Sequence, residues 1–428
     1  MDVRTKALMD FLDGAHSVFH AVAGLEKALA EKGYVCLQEQ DAWELIPGGK
    51  YYVTRGGSAI IAFQVPAGEW KGFLMSASHA DRPTFKVKEN GEQVGAYTRL
   101  LVERYGGMLM APWFDRPISI AGRVLVETED GVESKLVDLD RDLMMIPNVA
   151  IHMNRKANDG YAYNPAVDLL PLLGGKDAKG KLNALLEEAA GGKLLGHDLY
   201  LYVREKARVW GVEEEYLSAQ GIDDLECAWC CTQGFLNAEP AGSMPVLCVF
   251  DSEEVGSSSL QGAASDLLET VLQRICRSLE KDYSRVLAGS VMVSADNAHA
   301  IHPNHPEYAD AANAPVMGGG IVLKYNANQR YTTDGVTAAL FRKVCQQAAV
   351  PVQTYYNRAD LPGGSTLGNI SLSHVSVPSV DIGLPQLAMH SCYETAAVKD
   401  ALYLEEAMAA YYSCTLEWKN STTFCIKK

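Results

Sequence analysis

The chain lacks any uncharged apolar run of about 20 residues, the length a helix needs to cross a bilayer, so no membrane span is expected. It also lacks a basic balance: 38 Lys and Arg stand against 53 Asp and Glu, a formal charge of −15 over 428 residues. With no basic stripe, neither nucleic acid nor an anionic membrane is an expected partner. The opening MDVRTKALMDFLDGAHSVFH carries acids and a His where a secretory signal would be basic and then apolar, so a cytoplasmic location is expected. No internal repeat or low-complexity tail is visible. Ten cysteines are present, but no second CxxC answers Cys227, Cys230 and Cys231, so buried, reduced thiols are expected in place of a zinc ribbon or a disulfide framework. The HxxH of His302 and His305 is interrupted by Pro303, and no Glu follows His302, which excludes the helical zincin motif.

What is present is a large apolar fraction, 48%, with 21% charged residues, enough for a sizeable core and more than one domain. Residues 3–33 carry a helical pattern, and KYYVTRGGSAIIAFQV and GFLMSASHAD read as strands, as does YVCLQE before them. From 90 to 212 the pieces shorten and a Gly- and Lys-rich loop appears, which reads as an inserted, mostly β module. Beyond it strands and helices alternate: SSSLQGAASDLLETVLQRICRSLEKDY reads as helix, SRVLAGSVMVSAD leads into a strand, and ETAAVKDALYLEEAMAAYYSCTLEW closes the chain as helix. The expectation is an α/β fold with a sheet covered on both faces, built from 1–89 and 213–428 and interrupted by 90–212.

Five apolar segments run straight into a carboxylate or an imidazole: FLMSASHAD (His79, Asp81), YLSAQGIDDL (Asp223, Asp224), LCVFDSEE (Glu253, Glu254), VMVSAD (Asp296) and LPQLAMHS (His390). Open α/β sheets place their sites at such strand ends. Two His, two Asp and a Glu delivered to one rim are the donor set of a two-metal hydrolytic site, where one carboxylate is shared and a further Glu, itself no ligand, accepts the proton of the attacking water. Each group has an ordinary alternative: Asp223 and Asp224 could cap a helix, and Asp296 could cap a turn. Asp81 is placed to fix the tautomer of His79.

The blocks HADRPTFKVK, PNVAIHMNR, DDLECA, FDSEEVGSSSLQGAAS, SADNAHAIHPNHPEY, LKYNANQRYTTDG, PGGSTLGNI and VDIGLPQLAMHS resemble, in this order, the signature blocks of the aspartyl aminopeptidase family of cocatalytic metallopeptidases. The resemblance implies a three-layer αβα peptidase domain, a β-rich insert that mediates dimers, and dimers assembled into a dodecamer. It implies two divalent ions per subunit, Zn2+ before Co2+ or Mn2+. His79 and Asp296 would hold one ion, Glu254 and His390 the other, and Asp223 would bridge them. Glu253 would be the general base, and His152 would reach the active site of a neighbouring subunit to stabilise the oxyanion. Lys324, Ser365 and Thr366 fall in substrate-pocket blocks, with Lys324 offering a cation to an acidic side chain.

The chain departs from the pattern at Arg82, beside the HxD, where members carry a small uncharged residue. It departs again at Asp224, where Asp-Asn is usual, and at Tyr393, where Ser-x-Arg-Glu becomes Ser391-Cys392-Tyr393-Glu394; Gly368-Asn369-Ile370 stands in place of GPI. The expected function is hydrolysis of the N-terminal residue of peptides, with Asp or Glu preferred. The alternatives are a broader or Leu-type dinuclear aminopeptidase and a catalytically silent self-assembling homologue.

Overall fold

A computed structural model describes residues 2–361, 363–364 and 366–427. Nine strands form the central mixed sheet, in the spatial order Val35–Cys36, Lys50–Arg55, Ala59–Gln64, Met244–Phe250, Phe73–His79, Val291–Ala295, Ser379–Gly383, Ile321–Tyr325, Val352–Tyr356. The middle of the sheet is apolar on both faces because alternate side chains enter different cores. Ile60, Ala62, Leu74, Leu247 and Val293 join the helices Val3–Gly14, Val18–Glu31, Ile222–Leu236, Gly335–Ala348 and Val398–Ser413. Ile61, Phe63, Met75, Val246 and Cys248 join the helix Leu267–Ser278 on the opposite side. The result is the three-layer α/β architecture.

A second, six-stranded antiparallel sheet lies between Thr84 and Val203 and has its own core around Phe85, Trp113, Ile120 and Leu199, closed by the helix Lys181–Ala190. Its strands begin at Thr84 and end at Val203, so both edges sit earlier in the chain than the composition change at 90 and 212. The sequence pattern missed these edges because TFKVK is continuous in texture with the preceding strand.

Three segments differ from expectation. The helix read from Ser257 begins only at Leu267, since 257–266 form turns after the Glu-Glu pair. YVCLQE contributes only the two-residue strand Val35–Cys36. The closing helix runs only from Val398 to Ser413: Glu394–Ala397 pairs with Tyr216–Ala219 in a separate three-stranded sheet, and Thr415–Trp418 pairs as a strand with Phe424–Lys427. Cys227, Cys230 and Cys231 are buried on the helix Ile222–Leu236, as the sequence led one to expect. Among the described residues, no helix is long and apolar enough to cross a membrane.

Candidate metal centre and active site

Register brings the acids to the imidazole. Strands Phe73–His79 and Met244–Phe250 run parallel and in step, with Phe250 opposite His79, so the turn that follows Phe250 sits directly beside that histidine. Strand Val291–Ala295 lies on the other side of Phe73–His79 with Ser294 opposite Ala77, which leaves Asp296 level with His79. Asp223 arrives differently: it follows the strand Tyr216–Ala219 of the small sheet and opens the helix Ile222–Leu236, its bond to Asp224 being cis. His390 comes from the loop after Pro385–Gln386, in a left-handed conformation with φ of 66°.

These five residues converge into two groups that share Asp223. His79, Asp223 and Asp296 offer ligand atoms within 4.8 Å of one another, and so do Asp223, Glu254 and His390. His79 Nε2 lies 3.6 Å from Asp223 Oδ1, and His390 Nε2 lies 3.4 Å from both Asp223 Oδ2 and Glu254 Oε2. Each imidazole is held by its other nitrogen: Nδ1 of His79 is 3.0 Å from the main-chain oxygen of Asp81, and Nδ1 of His390 donates to the main-chain oxygen of Gly107. In the neutral ring, donation from Nδ1 leaves Nε2 bare, the state a metal ligand requires; without a cation, and against burial, the acids around them favour the protonated imidazoles.

The residues fit divalent cations. Among the described residues, Asp223 Oδ1 and Glu254 Oε1 are buried with no hydrogen-bond partner, a costly state that a cation relieves. Burial pushes Glu253 up to about 7, with Asp296 and Asp223 adding to the shift against the opposing His79. Burial, then Asp223, likewise raises Glu254 well above the usual carboxylate range. Burial opposes ionisation of Asp223, yet His390 and His79 hold it well below that range. So many acids in one low-dielectric site are what bound dications would neutralise. Hard carboxylate oxygens mixed with imidazole nitrogens suit zinc.

Around this set stands a frame of carboxylates that bond to backbone. Asp81 accepts the N–H groups of Glu253 and Glu254, both at 3.1 Å, and the hydroxyl of Tyr105 at 2.8 Å. The tautomer of His79 is set by Asp81, whose main-chain oxygen at 3.0 Å and carboxylate Oδ1 at 3.3 Å both face Nδ1, while the same carboxylate shapes the Glu-Glu turn. That turn is a single 3₁₀ turn between Ser252 (φ 66°) and Gly256 (φ 97°), which lets two adjacent glutamates face one cavity. Asp224 is fully buried and accepts the N–H groups of His79 and Asn297, both at 3.2 Å. Glu394 accepts the N–H of Asp223 at 3.1 Å and that of His390 at 2.7 Å, so one carboxylate sets two of the converging residues.

A cavity of about 380 Å3 opens over the cluster, lined by Glu253, Tyr331, Tyr355 and Met389 among others. Lys324 lines it too, but its ammonium donates to the Asp296 main-chain oxygen (2.7 Å), Asp296 Oδ1 (3.2 Å) and the Asn297 main-chain oxygen (3.1 Å), leaving no proton free for an incoming acid. Thr366 lines the cavity, and its hydroxyl donates to Asp381. Ser365 lies outside the described residues. His152 sits on an exposed turn of the insert and does not line the cavity.

Two departures from the family pattern have local explanations. Arg82 turns away from the acids, and its guanidinium donates to the main-chain oxygens of Ala15 and His16 at the end of the first helix. Tyr393 donates its hydroxyl to the Lys206 main-chain oxygen. Sequence reading missed Glu394, Tyr105 and the Gly106–Gly107 pair. A Cβ on Gly106 would stand 3.1 Å from that of Glu254, and the Gly-Gly after an apolar strand was the available signal of close backbone approach.

The fold and the donor set define a metal-dependent hydrolase. The sequence profile described as "Aminopeptidase I zinc metalloprotease (M18)" matches residues 11–412. The chain is 40% identical over 424 residues to "Probable M18 family aminopeptidase 2" of Clostridium acetobutylicum, covering 95% of this chain and 98% of that one. Among solved structures it resembles "Cryo-EM structure of the Ape4 and Nbr1 complex" at TM-score 0.92 and 35% identity, covering 96% of this chain and 85% of that one. It also resembles "Structure of S. cerevesiae mApe1 dodecamer" at TM-score 0.85 and 26% identity, covering 96% of each. The chain belongs to the M18 family of zinc metallo-aminopeptidases.

Proposed function

We propose that the chain removes the N-terminal residue of peptides using two zinc ions, one held by His79, Asp296 and Asp223 and the other by Glu254, His390 and Asp223. The observation that carries this reading is Asp223, common to both clusters with an imidazole nitrogen facing each of its oxygens. Zinc bound there supplies a Lewis acid for the scissile carbonyl and lowers the pKa of coordinated water. Glu253 completes neither of these two clusters, although its carboxylate lies beside His79 and Glu254; it lines the cavity, where it can take a proton from water and pass it to the leaving amine. Asp81 positions Glu253 through the backbone of the turn.

Assembly belongs to the same proposal. The exposed insert turn carries Val149, Ile151 and Met153 beside His152, an apolar surface suited to a neighbouring copy. Dimers built through the 90–212 insert, and a dodecamer like the one named for the yeast neighbour, would bring His152 to an adjacent cavity as an oxyanion donor. Thr366, which lines the cavity, stands near the substrate's N-terminal residue in this reading.

A preference for acidic N-terminal residues is the narrower form, supported by the family resemblance. A broader or Leu-type specificity is the second reading, favoured by the pairing of Lys324 with Asp296 and Asn297. Zinc-loaded protein against peptides beginning with Asp, Glu, Leu, Lys or Ala separates them, with a chelated control. Cleavage led by the acidic members is the expected outcome; cleavage led by Leu or Ala selects the second reading, and cleavage indifferent to the chelator contradicts both. Glu394→Gln places an amide where the Asp223 and His390 N–H groups now find oxygens. It is expected to weaken zinc binding about 10–100-fold, read by competition with a chromogenic chelator.

A further inference from the structure

A second cavity, of about 490 Å3, adjoins the catalytic one, and the two share His299 and Tyr355 as a common wall. Its far side includes Tyr308, Tyr356, Leu361 and Leu387. Leu387 and Ala388 belong to the loop that carries His390, so this wall is continuous with the metal-centre loop. Resting on the aminopeptidase reading, we propose that this cavity binds the residue after the scissile bond and selects apolar or aromatic side chains there.

Three features support the assignment. The metal-ligand cluster lies in the catalytic cavity, so the chain beyond the scissile bond must leave past its rim, and the second cavity lies across the shared His299–Tyr355 rim. The charged groups there are already paired: Arg358 holds Asp360 and the main-chain oxygen of Glu307, and His305 lies 2.9 Å from the Glu307 carboxylate. Beside the rings of His299, His302 and His305, the cavity offers a ligand tyrosine and leucine surface, with Tyr308 61% and Leu361 41% exposed. Two amides complete the lining. Gln386 is 1% exposed, with Oε1 accepting from Asn297 Nδ2 at 3.3 Å; among the described residues its Nε2 and Asn357 Oδ1 are buried without a hydrogen-bond partner.

The test measures kcat and KM of zinc-loaded protein on dipeptides and on the corresponding amide, all beginning with the residue cleaved fastest. The second residue is Phe, Leu, Gly, Lys or Asp. Wild type is expected to favour Phe and Leu over Lys and Asp by about tenfold in kcat/KM, carried mainly by KM. The surface variants Tyr308→Ala and Leu361→Glu are each expected to lower the ratio of the Phe dipeptide to the amide by about threefold or more. A flat second-residue profile, or an unchanged ratio in both variants, overturns the assignment while leaving the aminopeptidase reading intact. Absence of chelator-sensitive hydrolysis of every substrate, amide included, overturns both.

Discussion

Glu253→Gln is expected to lower kcat by about 10²–10⁴-fold, the range lost when a general base is removed, with KM and zinc content unchanged. Glutamine keeps the shape of the side chain and can still line the cavity, but it cannot carry a proton from water to the leaving amine. Zinc content separates this role from ligation. Glu253 also lies within 4.8 Å of ligand atoms of His79 and Glu254, so a role as a metal ligand would appear as lost zinc. Single-turnover kinetics beside metal analysis gives the answer: slow turnover with full zinc supports the base, and slow turnover with depleted zinc reassigns Glu253 as a ligand.

Asp223→Asn is expected to have the second large effect, because one side chain serves both clusters. The substitution removes the negative charge that faces His79 Nε2 and His390 Nε2 and leaves a neutral amide between two cation sites. Both ions should weaken together, by more than the roughly 10–100-fold typical of outer-shell changes. Asp296→Asn, by contrast, should act mainly on the ion beside His79. Zinc titration of the two variants distinguishes a shared ligand from independent ones; equal loss of a single ion in both would contradict the sharing.

Much of this site was legible in the sequence because parallel strands in register end together. His79, Glu253, Glu254 and Asp296 follow adjacent strands of one sheet, and apolar runs that stop at polar residues mark such ends. Asp223 and His390 were marked by the same pattern of apolar runs ending in polar residues and by the family blocks, although their elements are a small side sheet and a loop and not strands of the central sheet. Glu394 was harder to read, since its work is done through the backbone N–H groups of other residues and no spacing encodes that. Asp224 is similar: the extra acid beside Asp223 accepts two N–H groups in a buried pocket, and burial beside Asp296 and Asp223 raises it well above the usual carboxylate range. Lys324 shows the opposite limit, because a lysine in a pocket block reads as a free cation until its three acceptors are seen.

Crystallographic anomalous scattering from zinc-loaded protein, collected on both sides of the zinc absorption edge, tests the central claim most directly. Two peaks flanking Asp223 are predicted, one in contact with His79 and Asp296 and the other with Glu254 and His390. A single peak, or zinc bound elsewhere with the Asp223 carboxylate touching no ion, would contradict the dinuclear account.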